Sequence, residues 1–277
     1  MKTSADTSPL IIDKQDGITT LTMNTPERLN GWTMAMMNAL KDAFKLAAAD
    51  EQTSILILTG ADPYYCAGVN LAATLKLGHP RKLRAMIVEQ NRALFDMFLD
   101  FPKPLLVAVN GPAIGASVTS ATLCDGIIAS EKATFSTPFA ALGVTPEGCS
   151  SVHFERLMGP ANAERMLGKD GWKPSAAEAL EAGLIQWVTP HEKLMEEARR
   201  IAREWLASGS KRSFRGGSTL EELKSVNADE SKLLADAFLG APFINAQFKF
   251  LWRKKKWGPA MMFLTMLVFR PLWSRML

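Results

Sequence analysis

The sequence contains two short aliphatic runs, each ended by a glycine and followed by a loop with a second glycine. Residues 54–60 read Ser-Ile-Leu-Ile-Leu-Thr-Gly, and residues 104–111 read Pro-Leu-Leu-Val-Ala-Val-Asn-Gly. Short apolar runs of this kind are typical of strands that are buried on both faces. Helical patterns alternate with them, so the first half of the chain is expected to form an α/β domain.

The loops after these two runs carry the first functional signal. Each places a glycine directly before an apolar residue, Gly68 before Val69 and Gly115 before Ala116. Glycine allows sharp backbone turns, which can leave main-chain N–H groups unpaired and pointing outward. Two such N–H groups from separate loops can hold one carbonyl oxygen as it becomes an oxyanion. One loop alone is weak evidence, because similar turns occur throughout α/β proteins.

Other patterns predict the remaining elements. Alternating residues on either side of Asp16-Gly17 predict a hairpin over 10–23, and Thr33 is expected to cap a helix that ends near Ala49. After residue 147 the chain is expected to be mostly helical. The tail from about residue 208 lacks strands. This predicts a core over 1–207 that holds the site and a helical oligomerisation region over 208–277, with no role assigned from about residue 257.

Glu147 is the candidate acid or base. Thr145 is expected to cap a helix, with Pro146 at the first helical position and Glu147 in the first turn. An acidic residue there has an ordinary explanation, because it interacts favourably with the helix dipole. Two features favour a catalytic function: the neighbouring residues are small, apolar and uncharged, and Gly148 leaves room for a ligand. A carboxylate in an apolar pocket has a raised pKa and becomes a competent general base.

Composition narrows the class of protein. The chain has 277 residues and a net charge of +4, which fits an anionic small molecule but does not indicate a nucleic-acid-binding protein. Three scattered histidines and three cysteines without a Cys-x-x-Cys pair argue against a metal site and a disulfide framework. The longest apolar stretch, residues 260–269, is too short to span a membrane. The basic run 253–256 is expected to be a solvated helix end, although the flanking tryptophans leave a membrane-surface role open.

Three motifs resemble the crotonase superfamily, the enoyl-CoA hydratase/isomerase family. They are residues 65–71 (Tyr-Cys-Ala-Gly-Val-Asn-Leu), residues 110–116 (Asn-Gly-Pro-Ala-Ile-Gly-Ala), and residues 133–139 (Ala-Thr-Phe-Ser-Thr-Pro-Phe) with their continuation over 142–151. The last stretch is the most specific. It is similar to the peroxisomal Δ3,Δ2-enoyl-CoA isomerases, in which a Glu after Pro is the acid/base. The resemblance extends from the hairpin at Leu10 to about Lys256.

The resemblance implies an α/β fold of repeated ββα units wound into a crotonase-type spiral, with C-terminal helices that pack a trimer. It also implies an acyl-CoA ligand, with Glu147 as the acid/base and the N–H groups of Val69 and Ala116 as an oxyanion hole. The residues implied to bind substrate are Ala67, Gly68, Val69, Asn70, Leu71, Gly115 and Ala116. No cofactor is expected, because coenzyme A is part of the substrate.

Departures from the family pattern select among its reactions. Members that hydrate a double bond use two glutamates, and this chain has Thr119 and Phe139 at those positions. Hydration is therefore disfavoured, and we expect isomerisation of 3-enoyl-CoA to trans-2-enoyl-CoA in fatty-acid β-oxidation. The alternatives are another crotonase reaction (hydration, dienoyl-CoA isomerisation or thioester hydrolysis) and a non-catalytic acyl-CoA-binding scaffold. Asn70 stands where the first loop often has Asp.

The expected assembly and compartment follow from the same resemblance. A homotrimer or a dimer of trimers is expected, with no nucleic-acid partner and no transmembrane segment. The family suggests the peroxisome or the mitochondrion. Residues 275–277, Arg-Met-Leu, fit the peroxisomal Ser-Lys-Leu signal poorly. The peroxisome is favoured, with the mitochondrion or the cytoplasm as alternatives.

Overall fold

The predicted hairpin is the first element of a computed structural model that describes residues 8–69 and 78–277. Strand β1 (Leu10–Gln15) pairs antiparallel with β2 (Ile18–Met23). Asp16 and Gly17 have positive φ angles of 52° and 79°, as a tight two-residue hairpin turn requires. The hairpin prediction is confirmed.

A six-stranded sheet forms the centre of the fold, in the order β1-β2-β3-β4-β6-β8. Every pair in it except the hairpin is parallel. Its other strands are β3 (Ile55–Gly60), β4 (Leu105–Val109), β6 (Gly126–Ser130) and β8 (Trp187–Thr189). Two short strands, β5 (Ala113–Ile114) and β7 (Phe135–Ser136), form a second parallel pair. Parallel pairing brings the carboxyl ends of β3, β4 and β6 to one edge.

Helices follow most strands and dominate the second half of the described chain. They are α1 (Met34–Ala49), α2 (Pro80–Leu99), α3 (Ala116–Thr122), α4 (Phe139–Leu142), α5 (Ser150–Leu167), α6 (Ala176–Glu181), α7 (Leu194–Ala207), α8 (Leu220–Phe238), α9 (Ala241–Arg253), α10 (Trp257–Val268) and α11 (Arg270–Trp273). The prediction that Thr33 caps α1 is confirmed, because its side chain accepts the N–H of Met36 at 3.3 Å.

The strands alternate their side chains between two apolar layers. On β3, Leu56 and Leu58 belong to the main core, whereas Ile55 and Ile57 pack into a second cluster beneath α7. Strand β4 divides in the same way. Because both faces of the central strands are covered, their sequences are continuously apolar, which is the pattern that predicted them.

The C-terminal helices pack onto the same core rather than apart from it. Helix α8 lies along α2, and Leu223 of α8 is fully buried in the main cluster. A third cluster joins the first half of α2 to α9 and α10. The division of the chain at residue 208 stays a prediction.

Two further features bear on the class of protein. Cys66, Cys124 and Cys149 are buried and free. Among the described residues, the helices are all too short or too polar to cross a lipid bilayer.

Candidate active site

The two glycine loops meet at the carboxyl edge of the sheet. The N–H of Ile114 donates to the carbonyl oxygen of Cys66 at 3.0 Å, and the hydroxyl of Ser117 donates to the same oxygen at 3.1 Å. A Cβ atom on Gly68 would lie 2.6 Å from the carbonyl oxygen of Ile114, and the φ of Gly68 is +81°. Only glycine fits so close an approach in that conformation. The two glycine loops that the sequence pattern identified are therefore in direct contact. We call this contact the loop junction.

The main-chain N–H groups of Val69 and Ala116 lie at this junction. Ala116 is the first residue of α3, where a helix leaves its N–H groups without an intrahelical acceptor. Gly68, before Val69, accepts the N–H of Trp32 at 2.8 Å and holds the first loop in place. Within residues 8–69 and 78–277, neither N–H donates to an acceptor. No acceptor in this part of the chain therefore competes with a ligand oxygen for either N–H group.

Glu147 is buried, with 8% of its surface exposed. Its Oε2 accepts a hydrogen bond from Nδ2 of Asn91 on α2 at 2.6 Å. The Oδ1 of Asn91 accepts in turn from the hydroxyl of Ser231 on α8 at 2.9 Å, which fixes the orientation of the amide. Burial raises the pKa of Glu147 to about 7, against the lowering effect of the Asn91 hydrogen bond, and the nearby Glu230 adds to the rise.

The predicted helix start at Thr145 is wrong. Helix α5 begins at Ser150, so Glu147 lies in the preceding loop and outside the first turn. The helix N-terminus is capped instead by Glu230 of α8. Its two carboxylate oxygens accept the N–H groups of Cys149 at 2.6 Å and Ser151 at 2.8 Å. A carboxylate from another helix thus makes the favourable interaction with the N-terminus of α5 that the sequence suggested for Glu147.

The loop that carries Glu147 packs directly against α3, the helix that follows the second glycine loop. A Cβ atom on Gly148 would lie 2.7 Å from Oγ1 of Thr119, in the first turn of α3, and 2.4 Å from the ring of Phe95. Position 148 therefore requires glycine, both because a side chain would clash with these neighbours and because its φ is +66°. Glu147 consequently lies beside the helix whose first N–H belongs to Ala116.

This combination of loops, helix and buried carboxylate agrees with the comparison to known families. A sequence model described as enoyl-CoA hydratase/isomerase matches residues 13–238, most of the chain. The chain belongs to this family.

Individual members of the enoyl-CoA hydratase/isomerase family show the same relationship. Human Enoyl-CoA delta isomerase 2 is 36% identical over 264 residues, which are 89% of this chain and 64% of that protein, so the chain spans less than two thirds of that relative. Mouse Enoyl-CoA delta isomerase 3, peroxisomal, is 32% identical over 91% of this chain and 80% of its own length. A solved enoyl-CoA hydratase/isomerase from Pseudoalteromonas atlantica superposes with a TM-score of 0.72 at 26% identity, covering 89% of this chain and 97% of that one.

The structure places most of the other predicted site residues of this family member at the loop junction. Ala67, Gly68 and Val69 end the first loop, and Gly115, with a φ of +61°, directly precedes α3. Asn70 and Leu71 lie outside the described residues. No cluster of His, Cys, Asp and Glu that could hold a metal ion occurs in the part of the chain that the structure describes.

Three residues at the site were not found from the sequence: Asn91, Glu230 and Ser231. Asn91 is a polar residue on the buried side of α2, and Glu230 and Ser231 are buried on α8. A polar residue on an otherwise apolar helix face is the signal that could have identified Asn91. Nothing in the local sequence connects residue 230 to residue 147.

Proposed function

We propose that this chain is a Δ3,Δ2-enoyl-CoA isomerase that moves the double bond of a 3-enoyl-CoA to give trans-2-enoyl-CoA in fatty-acid β-oxidation. The observation that carries the proposal is the buried carboxylate of Glu147, with a pKa near 7, beside a loop junction where the N–H groups of Val69 and Ala116 have no acceptor among the described residues. A group of that pKa can both accept and return a proton at neutral pH. The names of the human and mouse relatives support the same activity.

In the proposed reaction, the N–H groups of Val69 and Ala116 bind the thioester carbonyl oxygen. Glu147 removes a proton from C2, and the electron pair of the broken C–H bond delocalises over the carbonyl as a dienolate. Each oxyanion-hole donor stabilises such a transition state by about 3 kcal/mol. Glu147 then returns the proton to C4, and the double bond forms between C2 and C3. The transfer needs no metal and no redox cofactor, and coenzyme A leaves as part of the product.

Asn91 determines which oxygen of Glu147 acts in this scheme. Its amide holds Oε2 at 2.6 Å. Among the described residues, Oε1 accepts no hydrogen bond. Oε1 is therefore the oxygen that removes the proton from C2 and carries it to C4, because no described residue occupies its lone pairs. A carboxylate held at one oxygen keeps its orientation while the proton moves between two carbons on one face of the substrate.

Isomerisation is favoured over hydration by the residues at the two other family positions. The hydroxyl of Thr119 donates to the carbonyl oxygen of Ala116 at 3.3 Å, and Phe139 is buried in the short helix α4. Neither residue can activate a water molecule as a carboxylate does. Water addition across a 2-enoyl-CoA would lack both of its carboxylates at these positions.

The assay that tests the proposal supplies the protein with two substrates in parallel. A 3-enoyl-CoA should be converted to the 2-enoyl isomer, and 2-enoyl-CoA should be hydrated at a much lower rate. In ordinary water, a 3-enoyl-CoA with deuterium at C2 should retain part of its label at C4, because one carboxyl group carries it. Faster hydration than isomerisation would assign the chain to a different crotonase reaction. Tight acyl-CoA binding with neither reaction would assign it as a scaffold.

The expected assembly and compartment belong to the same proposal. The family relationship supports a homotrimer or a dimer of trimers and an acyl-CoA partner. It also supports a role for residues 67–71 in lining the CoA site. The mouse relative is named as a peroxisomal protein, which supports that compartment for this chain. Sedimentation velocity and the location of a tagged protein in cells would test both.

A further inference from the structure

The charges of the chain are distributed unevenly along its length. Residues 237–277 contain seven basic residues and no acidic residue, whereas the other 236 residues carry 25 basic and 28 acidic residues. The same 41 residues contain three of the seven tryptophans. A local excess of lysine, arginine and tryptophan on an otherwise slightly acidic protein points to an anionic partner for this region.

The region is folded and anchored. Helices α9 and α10 pack against each other as a hairpin. Their inner sides are buried together, with Phe243, Ile244, Phe263 and Met266 in one cluster with Leu83 of α2. The surface opposite this inner side is therefore held in a fixed position relative to the rest of the molecule.

The outer side of α10 is mostly apolar as well, with Thr265 as its one exposed polar side chain. Trp257, Met261 and Val268 follow each other at helical spacing, and they are 50%, 48% and 62% exposed. Leu272 on α11 continues the exposed apolar surface and is 64% exposed. A surface helix of a globular protein normally carries polar residues on this side. An apolar face of this length indicates a binding surface.

Basic side chains border this apolar face at both ends. The basic turn 253–256 consists of Arg253, the last residue of α9, and Lys254, Lys255 and Lys256 before α10; all four are exposed, as is Arg275 beyond α11. Trp252 and Trp257 lie beside the turn with their rings in edge-to-face contact at 4.6 Å. Tryptophans near the boundary and lysines around an apolar face are the arrangement that binds the headgroup region of an anionic bilayer.

We propose that the outer face of α10 and α11, with the basic turn 253–256, is a docking surface for a membrane that contains anionic phospholipids. The apolar side chains would enter the headgroup boundary while the basic ones contact lipid phosphates. An isologous pair of these surfaces is a poorer occupant, because it would bring two basic turns together, and a heterologous contact between subunits is an outcome of the test below. The surface lies outside the candidate active site, so this proposal stands independently of the isomerase activity.

The test is co-sedimentation of the full chain with phosphatidylcholine vesicles, with and without phosphatidylserine. We expect binding only to the vesicles with phosphatidylserine and its loss at high salt. Each basic residue near such a surface strengthens binding about fivefold. The triple variant Arg253→Gln, Lys254→Gln and Lys256→Gln should therefore bind on the order of a hundredfold more weakly. A second variant, Trp257→Ala with Val268→Ser, should weaken binding with no change in net charge.

The matched control removes the same net charge elsewhere. Lys41, Lys45 and Lys132 are exposed and lie outside residues 237–277, and their replacement by Gln should leave vesicle binding within about twofold. Equal losses for the two triple variants would overturn the proposal, since attraction would then reflect total charge alone. Failure of the wild-type chain to bind vesicles would overturn it too. If Trp257→Ala with Val268→Ser instead reduced the oligomeric state, the face would be a contact between subunits.

Discussion

At the residue scale, two buried carboxylates near the start of α5, Glu147 and Glu230, have different roles. Glu230 accepts two N–H groups at the start of α5 and so stabilises the helix. Among the described residues, the carboxylate of Glu147 accepts a hydrogen bond only from Asn91, so Oε1 is the oxygen that the proposed reaction uses. The burial of Glu147 is energetically unfavourable for the ionised form, and that cost makes the carboxylate more basic than an exposed one.

The pH dependence of the reaction follows from this environment. In the proposed reaction only ionised Glu147 can remove the C2 proton, so kcat/KM should rise with pH and reach half its maximum near pH 7. Stopped or continuous assays across this range would measure the midpoint. A midpoint near 4.5, the ordinary glutamate value, would show that the carboxyl is not desolvated in the free enzyme.

Glu230 should act on the reaction through Glu147. Replacing Glu230 by Gln removes a negative charge that raises the pKa of Glu147, so the midpoint of the kcat/KM profile should move to lower pH. It should not reach the ordinary value, because burial remains. The control is Asp229→Asn, which removes an equal charge from an exposed neighbour on α8 that pairs with Lys232. A purely structural role for Glu230 predicts lower activity with an unshifted midpoint.

At the element scale, the two loops and α3 supply backbone groups rather than side chains. Ala116 is the first residue of α3, a position where proline is tolerated in helices. Ala116→Pro deletes the N–H and should lower kcat about 10²- to 10³-fold. Ala116→Ser keeps the N–H and should retain most of the activity. If the proline variant folded, by circular dichroism, and turned over at the rate of the serine variant, this N–H would have no part in catalysis.

The elements also show what the sequence can predict. The sequence predicts strand β4 because Pro104 and Gly111 lie on either side of a short apolar run. Strand β8 was not predicted, because three residues at 187–189 are too few for a periodic pattern. The cap at Thr145 was predicted wrongly since local sequence cannot show that the real cap comes from residue 230. Local sequence also does not identify Asn91, because its hydrogen-bond partners Glu147 and Ser231 come close to it only in the folded chain.

At the scale of the whole molecule, the site joins the two halves of the chain. The first half provides the loops, α2 and α3, and α8 provides Glu230 and Ser231. Hydrogen bonds from Asn91 to Glu147 and from Ser231 to Asn91 connect three segments that are far apart in sequence. Unfolding of the molecule therefore exposes Glu147 and returns its pKa to the ordinary range.

Stability should then depend on pH through Glu147. The folded chain binds the proton more tightly than the unfolded chain, so the stability from this group is complete below pH 4.5 and is lost as pH rises through about 7. Above that pH, Glu147→Gln should be more stable than the wild type by up to about 3 kcal/mol, and the difference should vanish at acidic pH. Thermal or urea unfolding at several pH values would measure it. Glu155→Gln, at an exposed position on α5, should show no such trend.

The central claim is that Glu147 alone moves the proton, and turnover of 3-enoyl-CoA by purified Glu147→Gln tests it most directly. Glutamine keeps the shape of the side chain and can still accept the hydrogen bond of Asn91, but it has no basic oxygen. The account predicts a loss of at least about 10³-fold in kcat, while acyl-CoA affinity stays within a few-fold of the wild type. Turnover close to that of the wild type, with binding intact, would contradict it.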